Sequence, residues 1–477
     1  MNAISHKQPH GFSVFFLTEM WERYGFYVIQ TALVFYLLNK LHLNDAKSYV
    51  IVGSFTALAY INSFFGGLIA DKFIGSTTTI FLGGIFLFIG YMILGLLPNL
   101  TGLTAGLGLV SVGTGLLKPN ISSLLSILYP HNDERKEAGY TLYYVGIYVG
   151  ALSGGLLGGY ISHYLGWMAA FISSAIGIFF GMVIFVHGKA KYKIIDKRKT
   201  HLVFMDYIYA SSSIMLMLFV SCIVLHSEFL AILYFVFITI LCFGFILFII
   251  ITHHGMERKK LIAFLFLILL AVCYWAVFYQ QFFSLSLCTE RVCRLPHDIP
   301  ASSVPALESL GVILFGPLIN FIWFYFKDRG RGISIPTKFS LSFLFNSVCF
   351  LLISFGLWYS MRNDTHLNPV FIVLAYTFVA IGELCISPTS LSMVSSLVPP
   401  RYGSAMMGIA LLSIGFGGKL AGLLANVADI DDVKHATIHS MQMVYLHSFF
   451  SYFIISLVTF IISVILGKYI KNLITEH

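Results

Sequence analysis

Glu19, Glu22 and Arg23 place two carboxylates and a guanidinium inside an otherwise apolar run from about Phe12 to Leu38. Offsets of three and four residues set them on one helical face. A charge inside a membrane span costs roughly 2.5–3.5 kcal/mol on insertion scales, so such groups face a water-filled cavity and pair with one another. Two acids against one base leave a carboxylate whose protonation can change, a property that packing alone does not need. The chemistry offered is reversible proton uptake beside an ion pair.

The elements that must position this set are membrane helices. The 477-residue chain is 58% hydrophobic and only 10% charged, with 45 phenylalanines. A spanning helix takes about 20 apolar residues, and the pattern predicts fourteen spans, from 13–39 through to 441–467. The first stretch is too long and too charged for a cleavable signal peptide, so it is expected to remain as the first span. Of the 29 Lys and Arg residues, twenty fall on the side holding both termini and six on the other, which predicts cytoplasmic termini in the cell membrane. The net charge of +8 then reflects topology and anionic lipid headgroups and calls for no nucleic acid.

Five of the seven cysteines (Cys222, Cys242, Cys273, Cys349 and Cys385) fall in predicted spans and read as small apolar residues. Cys288 and Cys293 share the loop after the ninth span, and their spacing leaves a local disulfide or two free thiols open. No spacing resembles a metal site.

Basic runs at Lys189 to Lys199 and Glu257 to Lys260 bracket two apolar spans. This divides the chain into 1–188, a six-helix bundle; 189–260, a basic linker with two extra helices; and 261–477, a second six-helix bundle. Paired halves of this kind are common in secondary transporters, with substrate bound near the bilayer midplane. No phosphate-cradling glycine loop, pore loop or nucleophile–base constellation is present, which argues against a pump, a channel or an enzyme. Energy is expected from a proton gradient, with no cofactor.

The segment Gly66-Gly67-Leu68-Ile69-Ala70-Asp71-Lys72 resembles the signature loop of the major facilitator superfamily. That resemblance implies close helix approach at the glycines and a gating role for Asp71, although Ser76, Thr77 and Thr78 replace the usual basic residues. Glu19 to Tyr27 is similar to the Glu-x-x-Glu-Arg-Phe-x-Tyr-Tyr hallmark of the proton-dependent oligopeptide transporter family. Gly115 to Ser122 and Gly382 to Pro388 also resemble that family. The resemblance implies an all-α major facilitator fold, proton coupling at Glu19, Glu22 and Arg23, and a cavity lined by Tyr27 and Tyr60. Arg23 and Lys118 would meet a peptide carboxylate, Glu383 an α-ammonium, and Pro388 would let its helix bend.

Departures are equally specific. Tyr148 stands where the family has Asn, Gln280 follows Tyr279 where many members have Glu, Gly311 replaces Asn and Ala410 replaces Trp. Glu308 and Lys419 are additional charges, expected to pair or to serve an outer gate. Together these features predict a proton-coupled importer of di- or tripeptides or similar zwitterions, working as a monomer. Tyr148, Gly311 and Ala410 leave open another small organic anion or amino-acid derivative as substrate. A non-transporting sensor or scaffold is the less favoured reading, because it has no need for buried charge.

Overall fold

The computed structural model describes residues 8–129, 133, 135–194, 203–430 and 432–474. Lys197, Arg198 and Lys199 of the basic linker lie outside the described residues. Among the described residues fifteen α-helices follow one another: α1 (Phe12–Asn39), α2 (Asp45–Ile69), α3 (Ser76–Leu96), α4 (Leu100–Ile127), α5 (Arg135–Tyr164), α6 (Trp167–Tyr192), α7 (Phe204–His226), α8 (Glu228–Thr252), α9 (Gly255–Phe278), α10 (Ser284–Val292), α11 (Ala306–Asp328), α12 (Ile335–Arg362), α13 (Pro369–Leu397), α14 (Gly403–Ala425) and α15 (Ile438–Ile474). Thirteen helical segments are long and apolar enough to cross a membrane, and α1, with its three charges, makes the fourteenth. Large apolar side chains such as Phe229, Phe237 and Phe321 are exposed, as lipid-facing surfaces require.

Helix ends follow local chemistry. Asn99 and Asn368 accept bonds from the backbone N–H groups of Gly102 (2.7 Å) and Val370 (3.0 Å), capping α4 and α13. The predicted ninth span is not one helix. It breaks into a 3₁₀ turn over Tyr279–Phe282 between α9 and α10. The signature loop takes the form of a π turn, Ala70–Ile74, closed by the Gly75 N–H on the Ala70 carbonyl at 3.0 Å. Gly75 has φ of 77° there, a conformation glycine supplies at least cost.

The chain divides into two compact units. One contains residues 1–36 and 58–226; the other contains 37–57 and 227–477. The two inserted helices are therefore separated, α7 with the first unit and α8 with the second. In the first unit, α2 and α4 touch backbone to backbone: a methyl group at Gly66 would lie 2.1 Å from the Gly115 carbonyl oxygen. The close approach expected of the signature glycines is present at Gly66, whereas Gly67 has room. Asn62 donates to Ser111 on α4 (3.2 Å) and to Ser221 on α7 (3.1 Å), tying the inserted helix to this pair.

In the second unit, Asp45 and Arg291 form a two-pronged ion pair at 2.6 and 2.8 Å, and Arg291 also donates to the Tyr445 hydroxyl at 3.1 Å. Cys288 and Cys293 are buried free thiols. Leu367 lies beside Cys293 in the one isolated extended bridge among the described residues.

Candidate functional site

The α1 charge cluster is held in place by glycines on α5. Gly146, Gly150, Gly154 and Gly158 recur every four residues and meet Phe16, Met20, Tyr24 and Val28, which recur every four residues on α1. Methyl groups at Gly150 and Gly154 would lie 2.3 Å from the Met20 and Tyr24 carbonyl oxygens. Helices in lipid associate chiefly by close packing, and small residues let backbones approach. This stripe turns Glu19, Glu22 and Arg23 inward, where all three are buried.

The two acids are held unequally. Glu22 Oε2 accepts from Arg23 Nε and forms an ion pair with Arg23 Nη2, and its Oε1 accepts from the Thr114 hydroxyl on α4 at 3.2 Å. Glu19 Oε1 lies 3.3 Å from Arg23 Nε and faces the Tyr143 hydroxyl of α5. The Arg23 guanidinium also rests over the Phe26 ring, 4.8 Å from its centroid. Glu22 is thus the fixed counter-ion and Glu19 the looser one. With both acids ionised the set carries one negative charge; a proton on Glu19 makes it neutral.

Lys118 is half-buried on α4, with its ammonium 4.6 Å from the centroid of the Tyr60 ring. Its charge acts on Glu19. Pro119 follows within the helix, and Asn120 Nδ2 donates to the Leu116 carbonyl at 2.7 Å and the Gly66 carbonyl at 3.3 Å. Tyr27 is half-buried one turn beyond Arg23, Tyr148 is half-buried on α5, and Asp71 is exposed in the π turn. The first unit therefore gathers Glu19, Glu22, Arg23, Lys118 and Tyr60 into one electrostatic group.

The second unit holds Gln280, Glu308, Glu383, Pro388 and Lys419, and several depart from expectation. Gln280 is buried with both ends of its amide engaged: Nε2 donates to the Ala421 carbonyl at 2.9 Å, and Oε1 accepts from Ser284 at 2.8 Å. It braces the 3₁₀ break against α14, where the sequence suggested a pocket residue. Glu308 and Lys419 are not paired. Lys419 donates to Ser54 at 2.9 Å and lies 5.3 Å from the Phe235 ring centroid, while Glu308 lies within hydrogen-bonding reach of Glu383. At Gly311, where the family has Asn, a Cβ would sit 2.7 Å from Ala380 Cβ. Its small size lets α11 and α13 meet. Pro388 is carried within α13, which continues to Leu397.

Sequence reasoning missed Tyr143, Thr114 and the α5 glycines. The four-residue repeat of glycines was a readable signal. Nothing local marks Thr114 or Tyr143, whose partners lie on another helix.

A model described as the POT family matches residues 77–441. The match begins after the α1 cluster. The chain is 29% identical over 466 residues to dipeptide and tripeptide permease A of Serratia proteamaculans, covering 93% of this chain and 88% of that one. It is 28% identical over 447 residues to dipeptide and tripeptide permease A of Escherichia coli, covering 89% and 86%. Among solved structures, a peptide transporter POT in complex with alafosfalin superposes with a TM-score of 0.83 at 25% identity, covering 98% of this chain and 96% of that one.

Proposed function

We infer, from the premise that the chain belongs to the POT family, that it is a multi-pass inner-membrane transporter of di- and tripeptides. Its relatives include dipeptide and tripeptide permeases, matched over 88% and 86% of their length. The finer reading is proton-coupled import by a single copy of the chain, with both termini in the cytoplasm. The unequal grip on the two α1 acids supports the coupling. Glu22 anchors Arg23 through Oε2 while Thr114 occupies its Oε1, which leaves Glu19 to gain and lose the proton.

Outside, acid protonates Glu19 and weakens its hold on Arg23. The guanidinium, with the Lys118 ammonium, then meets the peptide carboxylate. Inside, loss of the proton restores the Glu19–Arg23 pair, which competes with the carboxylate and expels it. Arg23 suits a planar carboxylate through its fork of donors, whereas Lys118 acts as a point charge. Asp71 and Pro388 serve the gate, and Tyr27, Tyr60 and Tyr148 line the cavity. Acid-driven uptake of labelled di- and tripeptides into proteoliposomes tests this reading; folded protein that takes up no peptide removes the substrate assignment.

A second reading, another small organic anion or amino-acid derivative, draws support from Tyr148 and Ala410. Gly311, which also lets α11 and α13 approach, supports it through the amide it lacks.

A further inference from the structure

The turn between α8 and α9 buries a histidine between partners of fixed polarity. His253 follows Thr252, the last residue of α8, and is 4% exposed. Its Nδ1 lies 2.6 Å from the Ile249 carbonyl oxygen, which can only accept, so Nδ1 carries the hydrogen. The Thr252 hydroxyl, 3.3 Å from Nδ1, donates to the same carbonyl and is likewise left to accept. On the other side of the ring, Nε2 faces Arg401 Nη2, which can only donate. These partners hold the neutral imidazole, with its hydrogen on Nδ1.

Arg401 lies in the 3₁₀ turn Pro400–Tyr402, which joins α13 to α14. The Tyr402 ring meets the His253 ring edge to face at 5.6 Å, and the Arg401 guanidinium rests 4.7 Å from the Tyr402 centroid. Among the described residues one acid faces the imidazole. It is Glu257 in the first turn of α9, with Oε2 3.9 Å from Nε2 and its side chain 64% exposed. His253 and Arg401 both lie between the membrane-crossing segments, at the level of water. Both turns follow an even number of spans, eight and twelve, and so share the side of the N-terminus.

We propose that His253 is a further proton-binding site, a switch that holds the α13–α14 turn when neutral and releases it when protonated. A proton on Nε2 sets donor against donor and cation against cation at Arg401, while Glu257 offers that same nitrogen an acceptor. The imidazole therefore trades Arg401 for Glu257, and the turn loses its tie to α8. Histidine changes charge between about pH 5 and 8. The placement rests on the reading that both termini are cytoplasmic. The proton then enters and leaves by the cytoplasmic face and adds nothing to the number carried with peptide. The switch reads the cytoplasmic acidity that proton-coupled import itself produces. It acts at the ends of α13 and α14, and α13 carries Glu383 and Pro388.

Hydrogen–deuterium exchange of the full-length protein in detergent, followed at the 3₁₀ turn and corrected for the intrinsic rate at each pH, reads the switch. The Tyr402 N–H, bonded to the Pro399 carbonyl at 3.0 Å, is the reporter. From about pH 8 to about pH 6 the wild type is expected to exchange about fivefold faster, the worth of one lost hydrogen bond. His253→Gln keeps an acceptor but takes no proton, and is expected to show no such change. An equal response in the two proteins overturns the proposal. Glu257→Gln should move the transition to lower pH, because the protonated ring loses its partner; an unmoved midpoint overturns the trade of partners. None of these measurements needs peptide or a sided membrane. The cytoplasmic placement is read separately, by labelling Lys259→Cys with a membrane-impermeant thiol reagent. Labelling in everted vesicles but not in intact cells supports it; labelling in intact cells rejects the placement while the detergent result stands.

Discussion

Replacing Gly150 by Ala tests whether the α5 glycines set the geometry of the charge cluster. The new methyl would start 2.3 Å from the Met20 carbonyl oxygen and 2.8 Å from Arg23 Cβ. To reach ordinary contact near 3.4 Å, the helices must part by about 1 Å at that level. Glu19, Glu22 and Arg23 move together, being on one helix, but Thr114 and Tyr143 stay with α4 and α5. The Tyr143 hydroxyl, which α5 presents to Glu19 on α1, would lose that contact. Losing a hydrogen bond to a charged group costs about 1.5–3 kcal/mol, roughly a tenfold or greater loss of function where the coupled state depends on it. Proton-driven uptake by Gly150→Ala should fall by about that factor, with a lower melting temperature. Gly146→Ala is the control, because its new methyl meets the Phe16 ring at 2.9 Å, and a side chain can turn aside where a backbone carbonyl cannot. Equal activity of the two variants would refute the reasoning.

Glu19→Gln should abolish accumulation of peptide against a gradient while leaving peptide exchange across proteoliposomes, since Glu22 still neutralises Arg23; Glu22→Gln should impair both. Lys118→Ala should weaken binding of peptides with a free carboxylate far more than of their C-terminal amides, read as a ratio of affinities. Gly66→Ala forces a methyl to 2.1 Å from a carbonyl oxygen, and overpacking of this kind costs about 1–3 kcal/mol or more, visible as a drop in melting temperature. Asp45→Asn leaves the Arg291 charge largely buried without its partner, a loss of roughly 3–5 kcal/mol, so thermal stability in detergent should fall clearly.

Hydropathy made most of the fold legible because lipid demands uniform apolar length. The first helix was predicted over 13–39 and observed over Phe12–Asn39. The ninth was misread as continuous because no proline or glycine marks its break. The 3₁₀ turn is held by Gln280 reaching Ala421, a partner 141 residues away, and such a contact has no local pattern. The α1 cluster was readable from spacing alone because its members share a helix. Pairing Glu308 with Lys419 followed charge sign, but tertiary packing at Gly311 and Ala380 brings Glu308 to a second acid instead. Attraction between opposite charges predicts partners only when the helices carrying them are known to meet.

The two inserted helices carry a consequence for anyone seeking a minimal version of this transporter. Each supplies a partner to a buried polar group of its own unit: Ser221 of α7 accepts from the Asn62 amide, and Phe235 of α8 lies under the Lys419 ammonium. Excision is therefore two separate operations. Removing α7 takes one of the two acceptors from the Asn62 amide, leaving Ser111 on α4, and removing α8 uncovers a lysine to lipid. A twelve-helix derivative would need compensating changes at both Asn62 and Lys419, and the two repairs can be attempted and scored one at a time.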